Sequence, residues 1–240
     1  MKKPLITIII PSKNEDAQII STLTRLRDYV KLSFECLIIV DSAEDTTIQS
    51  AKNFCSKNGN FRVLINSHSP GPASAIKFGI RQSLSDICVI TMADGSDDPK
   101  IITDLAQLIE RGVAVAVASR YMPGGQQIGA PFLKSFLSKV AGKSLYFLRR
   151  VGTRDATNSF KAYSKEFIEV VGIESEYGFE MAIELVAKAK VYGYPVAELP
   201  TIWLERETGK SSFKLLKWLP KYLHWYLYAF KRPKRRMFSA

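Results

Sequence analysis

Cysteine is scarce in this 240-residue chain, and histidine is scarcer. Cys36, Cys55 and Cys88 show neither the spacing of a metal site nor a C-x-x-C pair, and two of them fall in predicted strands. They read as core thiols of a protein kept in a reducing compartment. His68 and His224 are the only histidines. Nothing of ligand spacing surrounds them, so neither is expected to be catalytic. Long hydrophobic runs are missing too: no uninterrupted apolar stretch reaches the roughly 20 residues of a membrane-crossing helix. Ile6 to Ile10 is too short for the apolar part of a signal peptide, and Pro11 ends it. Acidic residues are rare at one end. Residues 205–240 hold ten Lys and Arg against two Glu, within a net charge of +11. The remainder is near neutral, so the base is concentrated in the tail.

What is present is apolar and periodic. Hydrophobic residues make up 46% of the chain, enough for a substantial core in one large domain or two small ones. Leu5 to Ile10 reads as a β-branched strand closed by Pro11-Ser12-Lys13-Asn14-Glu15-Asp16, and helical spacing then carries Ile19, Ile20, Leu23, Leu26 and Tyr29. Phe34 to Val40 is a second buried strand that stops at Asp41. A helix follows over Ile48 to Cys55, then a third strand, Phe61 to Ile65, and a helix through Ile76, Ile80 and Leu84. Asp86 to Met92 predicts a fourth strand and Val113 to Ala118 a fifth. Strands alternating with helices at this spacing argue for a mostly parallel sheet.

The fourth strand runs into Thr91-Met92-Ala93-Asp94-Gly95-Ser96-Asp97-Asp98-Pro99. Carboxylates crowded there repel one another unless a cation sits among them. In open α/β sheets the carboxyl edge is where ligands bind. A hard divalent cation holding a diphosphate answers both facts, whereas the plainer reading is a turn with Asp97 or Asp98 capping the next helix. Because the first, second and fourth strands all end in acidic or polar residues, those residues gather on one edge.

Taken together, Pro11 with Asn14-Glu15, Val40-Asp41 with Asp45-Thr46, Gly71 through Gly79 and the aspartate cluster resemble the family-2 glycosyltransferases. Asp155-Ala156-Thr157-Asn158-Ser159-Phe160-Lys161-Ala162-Tyr163 is similar to the D-x-T-S-G-F-R-x-Y segment of dolichol-phosphate mannose synthases and their relatives. Gly178-Phe179-Glu180 with Glu184 resembles their acceptor-side helix, and Arg206, Gly209 and Ser211 their R-x-x-G-x-S loop. Each piece alone is a weak signal; five in order are specific. The resemblance implies a GT-A fold, α/β with a mostly parallel sheet flanked by helices, over residues 1–211. It implies a sugar moved from a nucleotide-diphosphate donor to a polyprenyl phosphate, with inversion, using Mg²⁺ or Mn²⁺.

By the same resemblance Pro11, Glu15 and Asp41 surround the donor's base and ribose, and Lys77 is a candidate partner for its phosphates. Aligning Met92 and Pro99 with the family's M-D-A-D-x-Q-D-P puts Ala93 and Gly95 where metal-binding acids usually sit. The metal is therefore expected on Asp94 and Asp97. Asp94, Asp155 and Arg206 are the candidate catalytic residues, with Lys161, Arg206 and Ser211 around an acceptor phosphate. For a sugar-hydroxyl acceptor Asp155 would be the general base. A phosphate acceptor is already an anion and needs cations instead.

Residues 120–131 form a Gly/Pro-rich loop without periodicity, expected to cover the sugar. The basic helix that follows, Phe132 to Arg150, either lies on a membrane or packs on the sheet. Residues 212–240 read as an amphipathic, aromatic helix with a basic tail that puts the protein peripherally on the anionic cytoplasmic face of a membrane, with Lys214, Lys217, Lys221 and His224 on one narrow face. The rivals are extension of a surface glycan on a sugar hydroxyl, nucleic-acid binding through the tail, and an inactive nucleotide-sugar scaffold. Nucleic acid is not an expected partner, because it leaves the acidic edge unexplained.

Overall fold

The computed structural model describes residues 3–176, 178–205 and 215–234, with only the backbone of 215–217. The predicted strands and helices alternate as expected: β1 (Ile6–Pro11), α1 (Gln18–Tyr29), β2 (Phe34–Val40), α2 (Thr46–Lys57), β3 (Phe61–Ile65), α3 (Pro72–Gln82) and β4 (Ile87–Ile90). Each of β1, β2 and β4 is an apolar run buried on both faces, the pattern of a strand covered by helices on both sides of a parallel sheet. α3 sits close beneath it: a Cβ at Gly79 would lie 2.6 Å from the Ile9 side chain. Only glycine lets helix and sheet approach this far.

Beyond β4 the chain forms a 3-10 turn (Pro99–Ile101), α4 (Ile102–Glu110), β5 (Val115–Ser119), β6 (Gln126–Ile128) and α5 (Phe132–Arg149). Of the two capping candidates it is Asp98 that caps, at the 3-10 turn, its side chain accepting from the Lys100 amide at 3.2 Å. Then come β7 (Lys161–Ser164), α6 (Lys165–Val171), α7 (Met181–Tyr192), β8 (Val196–Pro200), β9 (Ile202–Leu204) and α8 (Leu215–Tyr228). The sheet order is β3-β2-β1-β4-β7-β5-β8, and β6 pairs with β9 apart from it. The loop expected over 120–131 is therefore pinned in its middle by strand pairing.

β7 decides what meets the aspartate cluster. It runs antiparallel to β4 and to β5, with Lys161 opposite both Ile90 and Val117. The start of β7 therefore lies at the carboxyl ends of its two neighbours. The turn 155–160, the cluster after β4 and Arg120 after β5 converge on one edge.

α8 packs on this body. Trp225, Tyr228 and Ala229 join the core, while Leu219, Leu223, Leu227 and Phe230 stay exposed. Tyr226 and Ser144 hydroxyls meet at 3.0 Å, and Arg149 Nε donates to the Ala229 carbonyl at 2.9 Å, tying α8 to α5. Lys221 lies beside Glu180, its Nζ 3.9 Å from Oε1. Lys214 lies outside the described residues. Among the described residues no helix is long and apolar enough to cross a membrane.

Candidate active site

The edge has two halves. On the β2–β1 side, Asp41 accepts from the Asn66 side-chain amide at 3.2 Å and from the Gly71 amide at 2.9 Å. It thereby ties the loop after β3 to the start of α3. Pro11 is buried at the end of β1. Glu15 is half-buried, between Asn14 and Asp16, whose φ angles of 52° and 44° lie in the left-handed region. That costly backbone is held from α2: Asp45 accepts from the Asn14 amide at 3.1 Å, and the Thr47 hydroxyl accepts from the Glu15 amide at 3.1 Å. Lys77 is half-buried on α3. Pro11 and Asp41 thus lie at the ends of adjacent strands, and Glu15 is held against the start of α2.

The β4 side is clamped by α1. Thr22 Oγ1 donates to the Ala93 carbonyl at 2.7 Å, and Arg25 donates to the carbonyls of Gly95 (2.7 Å) and Asp97 (3.2 Å). The helix α1 satisfies backbone groups that a tight acidic turn would leave bare. Gly95 takes φ 71° within it. Asp97 turns inward: its Oδ2 accepts from the Thr91 hydroxyl and the Met92 amide, both at 3.0 Å. Burial, and then the charge of nearby Asp94, push its pKa up to about 6, against the lowering effect of these hydrogen bonds. Asp94 is half-buried, accepts from the Ser96 amide at 3.1 Å, and lines a cavity of ≈ 340 Å³. Ser96, also on that wall, has a buried hydroxyl without a hydrogen-bond partner among the described residues.

These oxygens suit a hard divalent cation. Among the described residues no group of three or more His, Cys, Asp or Glu side chains could hold a metal. Mg²⁺ and its like manage with one or two carboxylates when substrate phosphates complete the shell. Asp94 on the cavity wall, beside an unsatisfied hydroxyl, meets that requirement better than the inward-turned Asp97.

Across the cavity stands an arginine to which the sequence assigned no role. Arg120 follows β5, and its Nε and Nη2 donate to Asp155 Oδ2 (2.7 Å) and Oδ1 (2.8 Å). Asp155 also accepts from the amides of Arg120 (3.0 Å) and Asn158 (3.2 Å), and it is 0% exposed. Burial by itself would raise the Asp155 pKa; the Arg120 charge and hydrogen bonds outweigh burial and hold it below the usual carboxylate range. An oxygen pair occupied in this way is not placed to take a proton from an acceptor. Its effect is to fix Arg120, which lines the cavity. Among the described residues no hydrogen bond uses Arg120 Nη1.

Lys161 does not reach the cavity. It is fully buried and donates to the carbonyls of Ala156 (3.1 Å) and Asn158. Burial lowers its pKa to about 7 even though Asp155 pulls the other way. Its place is inside the 155–160 turn. Arg206 and Ser211 lie outside the described residues. Lys134, Leu137, Ser138 and Ala141 of α5 wall the cavity at helical spacing, joined by Phe179, Glu205, Leu219 and Tyr222. Gly142 brings α5 against the 154–155 turn, since a Cβ there would meet the Arg154 carbonyl.

Asp94 and the fixed Arg120 guanidinium thus line one cavity at the carboxyl edge of an α/β sheet, the edge at which such sheets bind ligands. The family model described as Glycosyl transferase family 2 matches residues 7–172, and the chain belongs to that family. Three curated relatives share 28% identity with it. They are a dolichol-phosphate mannosyltransferase from Pyrococcus furiosus, a polyprenol monophosphomannose synthase from Mycolicibacterium smegmatis and an undecaprenyl-phosphate mannosyltransferase from Micrococcus luteus. The alignments cover 87%, 88% and 85% of this chain, and 59%, 85% and 85% of those proteins. The chain therefore spans just under three fifths of the P. furiosus enzyme.

Two solved structures are similar in fold. Glucosyl-3-phosphoglycerate synthase from Mycobacterium tuberculosis, with Mn²⁺, UDP and glucosyl-3-phosphoglycerate, has a TM-score of 0.69 at 16% identity, over 96% of this chain and 81% of that one. A mannosyltransferase from Pyrobaculum calidifontis, with GDP-Man and Mn²⁺, has a TM-score of 0.60 at 17% identity, over 88% and 59%. The fold is GT-A, and the chain is a glycosyltransferase.

Proposed function

We propose that this glycosyltransferase moves a hexose, with mannose the first candidate, from a nucleotide-diphosphate sugar to a polyprenyl phosphate at an anionic membrane surface. The observation that carries the reading is the Arg120–Asp155 pair. Asp155, the buried carboxylate of the 155–160 turn, is committed to a guanidinium, so this turn offers a phosphate a fixed cation rather than offering a hydroxyl a base. The named relatives act on lipid phosphates, which supports the choice.

In this reading Glu15 and Asp41 accept hydrogen bonds from the donor's base and ribose, and Lys77 meets its phosphates. Asp94, with Asp97 behind it, would hold Mg²⁺ or Mn²⁺, which when bound offsets charge on the departing diphosphate. Arg120 and Lys134 orient the acceptor phosphate. One of its oxygens bonds to the anomeric carbon while the bond to the nucleoside diphosphate breaks, and the configuration inverts. No proton has to move, because the acceptor oxygen is already charged near neutral pH, its second pKa being about 6.

The lipid also needs a surface. Phe132, Phe136, Val140 and Phe147 on α5, with Leu219, Leu223 and Leu227 on α8, are exposed on the two helices that wall the cavity. Phe132 is 82% exposed, which a helix facing only water seldom carries. The lysines and arginines of α5 and the tail suit anionic headgroups. This arrangement supports peripheral docking on the cytoplasmic leaflet, with the cavity mouth toward the lipid phosphate.

A second reading rests on Glu205, a carboxylate on the same wall, which could serve as base toward a sugar hydroxyl. Two variants separate them in a transfer assay. With a lipid-phosphate acceptor, Arg120→Lys loses the two-pronged contact and lowers kcat/KM for the acceptor by about 10–100-fold, while Glu205→Gln changes it little. A loss of ~10²–10⁴-fold in Glu205→Gln, with Arg120→Lys near native, favours the hydroxyl reading.

A further inference from the structure

Part of the cavity wall comes from the small sheet of β6 and β9, and two of its residues, Gln127 and Trp203, have no part in the transfer chemistry. They are register partners in that sheet, and Glu205 follows Trp203 by two residues. Side chains alternate across a strand, so the three share one face. They line the cavity, whereas Gln126, Ile128, Ile202 and Leu204 alternate with them and are exposed.

This ribbon is tied down at both ends of the reaction path. The Thr201 amide donates at 3.1 Å to the carbonyl of Ser119, the neighbour of Arg120. Further along, the Leu204 amide donates to the Ser96 carbonyl, also at 3.1 Å, close to Asp94 in the aspartate turn. β9 therefore bridges the two walls, from the guanidinium placed for an acceptor to the carboxylate placed for a diphosphate. A hexose passing between them lies in the space that Trp203 and Gln127 line.

The chemistry of this face suits a neutral sugar ring. The Tyr121 hydroxyl donates to Gln127 Oε1 at 2.9 Å, which fixes the carboxamide, and among the described residues no hydrogen bond uses its Nε2. Trp203 is half-buried, and its indole N–H likewise has no hydrogen-bond partner among the described residues. A pyranose carries C–H groups on its faces, which pack on an indole, and hydroxyls on its rim, which accept from a fixed amide. An isoprene chain would cover Trp203 but leave the Gln127 amide desolvated and unpaired. A phosphate would meet the charge of Glu205 on the same face.

We propose that Trp203 and Gln127 form the subsite for the transferred hexose: the ring stacks on the Trp203 indole, and a rim hydroxyl accepts from Gln127 Nε2. The proposal rests on the reading of Asp94 and Arg120 as donor and acceptor anchors, and it names the residues that hold the sugar between them.

The test is calorimetric titration of the full chain, with Mn²⁺ present, against GDP-mannose, UDP-glucose and the bare nucleotides GDP and UDP. No acceptor is needed, so the result is separate from the choice of a lipid phosphate. For the sugar nucleotide that the native chain binds, Trp203→Leu weakens binding about tenfold and Gln127→Leu about fivefold. Both variants bind the matching bare nucleotide as the native chain does, which also shows that the donor site is folded. Should Trp203→Leu fail to fold, Gln127→Leu decides the matter alone. Native affinity for the sugar nucleotide in the variants, or equal losses for sugar nucleotide and bare nucleotide, would overturn the proposal. So would an effect confined to the KM for a polyprenyl phosphate, which would give this face to the lipid. A native chain that binds GDP or UDP but neither sugar nucleotide overturns the subsite alone, and one that binds none of the four overturns the donor reading with it.

Discussion

Replacing Asp155 by Asn keeps the shape of the acceptor site and removes the charge that Arg120 was placed to meet. The arginine is 10% exposed at its side chain and its partner 0%, so the guanidinium left behind has little water to turn to. Breaking a buried pair from one side typically costs about 3–5 kcal/mol. In a chain of this size that corresponds to a Tm lowered by about 6–20 °C. The loss depends on pH. The Asp155 pKa is lowered in the folded protein, so its stabilisation is complete above the ordinary carboxylate value and is lost as pH falls through the folded value. Thermal unfolding followed by circular dichroism should therefore show native and variant chains far apart at pH 7 and converging in acid. The double variant Arg120→Met/Asp155→Leu should recover most of the stability, because apolar residues pack where the pair sat, and still fail to transfer sugar. A native Tm in Asp155→Asn, or a double variant no more stable than the single, would refute the assignment of Asp155 as the residue that holds Arg120.

Two further predictions concern the metal and the membrane. Asp94→Asn should lose ~10²-fold or more of the turnover, and its weakened donor binding should show chiefly when Mg²⁺ or Mn²⁺ is present; native activity would put the ion elsewhere in the cluster. Flotation with anionic liposomes should fall sharply when Phe132 and Phe136 are both changed to Asp, and should fall with rising salt in the native chain. Flotation equal in native and variant would remove α5 from the membrane surface.

The first half of the fold was readable because its signals are local. Buried β-branched runs end at charged or Pro-bearing turns, and each helix repeats its apolar residues at 3.6-residue spacing. The second half was not, because its strands are short and take their order from partners distant in sequence. β7 is four residues long and includes a buried lysine, and β6 and β9 are three residues each and exist through pairing with one another. The candidate site divides the same way. Asp41 and Asp94 could be picked out because each ends a strong strand. Arg120 read only as the first residue of a loop expected to cover the sugar, since the carboxylate that fixes it is 35 residues away and is brought back only by the antiparallel turn of β7. Lys161, expected beside an acceptor phosphate, is drawn inward by two carbonyls, and no periodicity in the sequence reports that.

The linkage of the product tests the lipid-phosphate acceptor most directly. The chain is incubated with GDP-mannose, Mg²⁺ and a polyprenyl phosphate in liposomes, and the lipid product is examined by phosphorus NMR. The account predicts a new phosphodiester signal that grows in step with GDP release and is absent without the lipid. GDP release that ignores the polyprenyl phosphate, with the sugar recovered on a hydroxyl of a glycan acceptor, would contradict it.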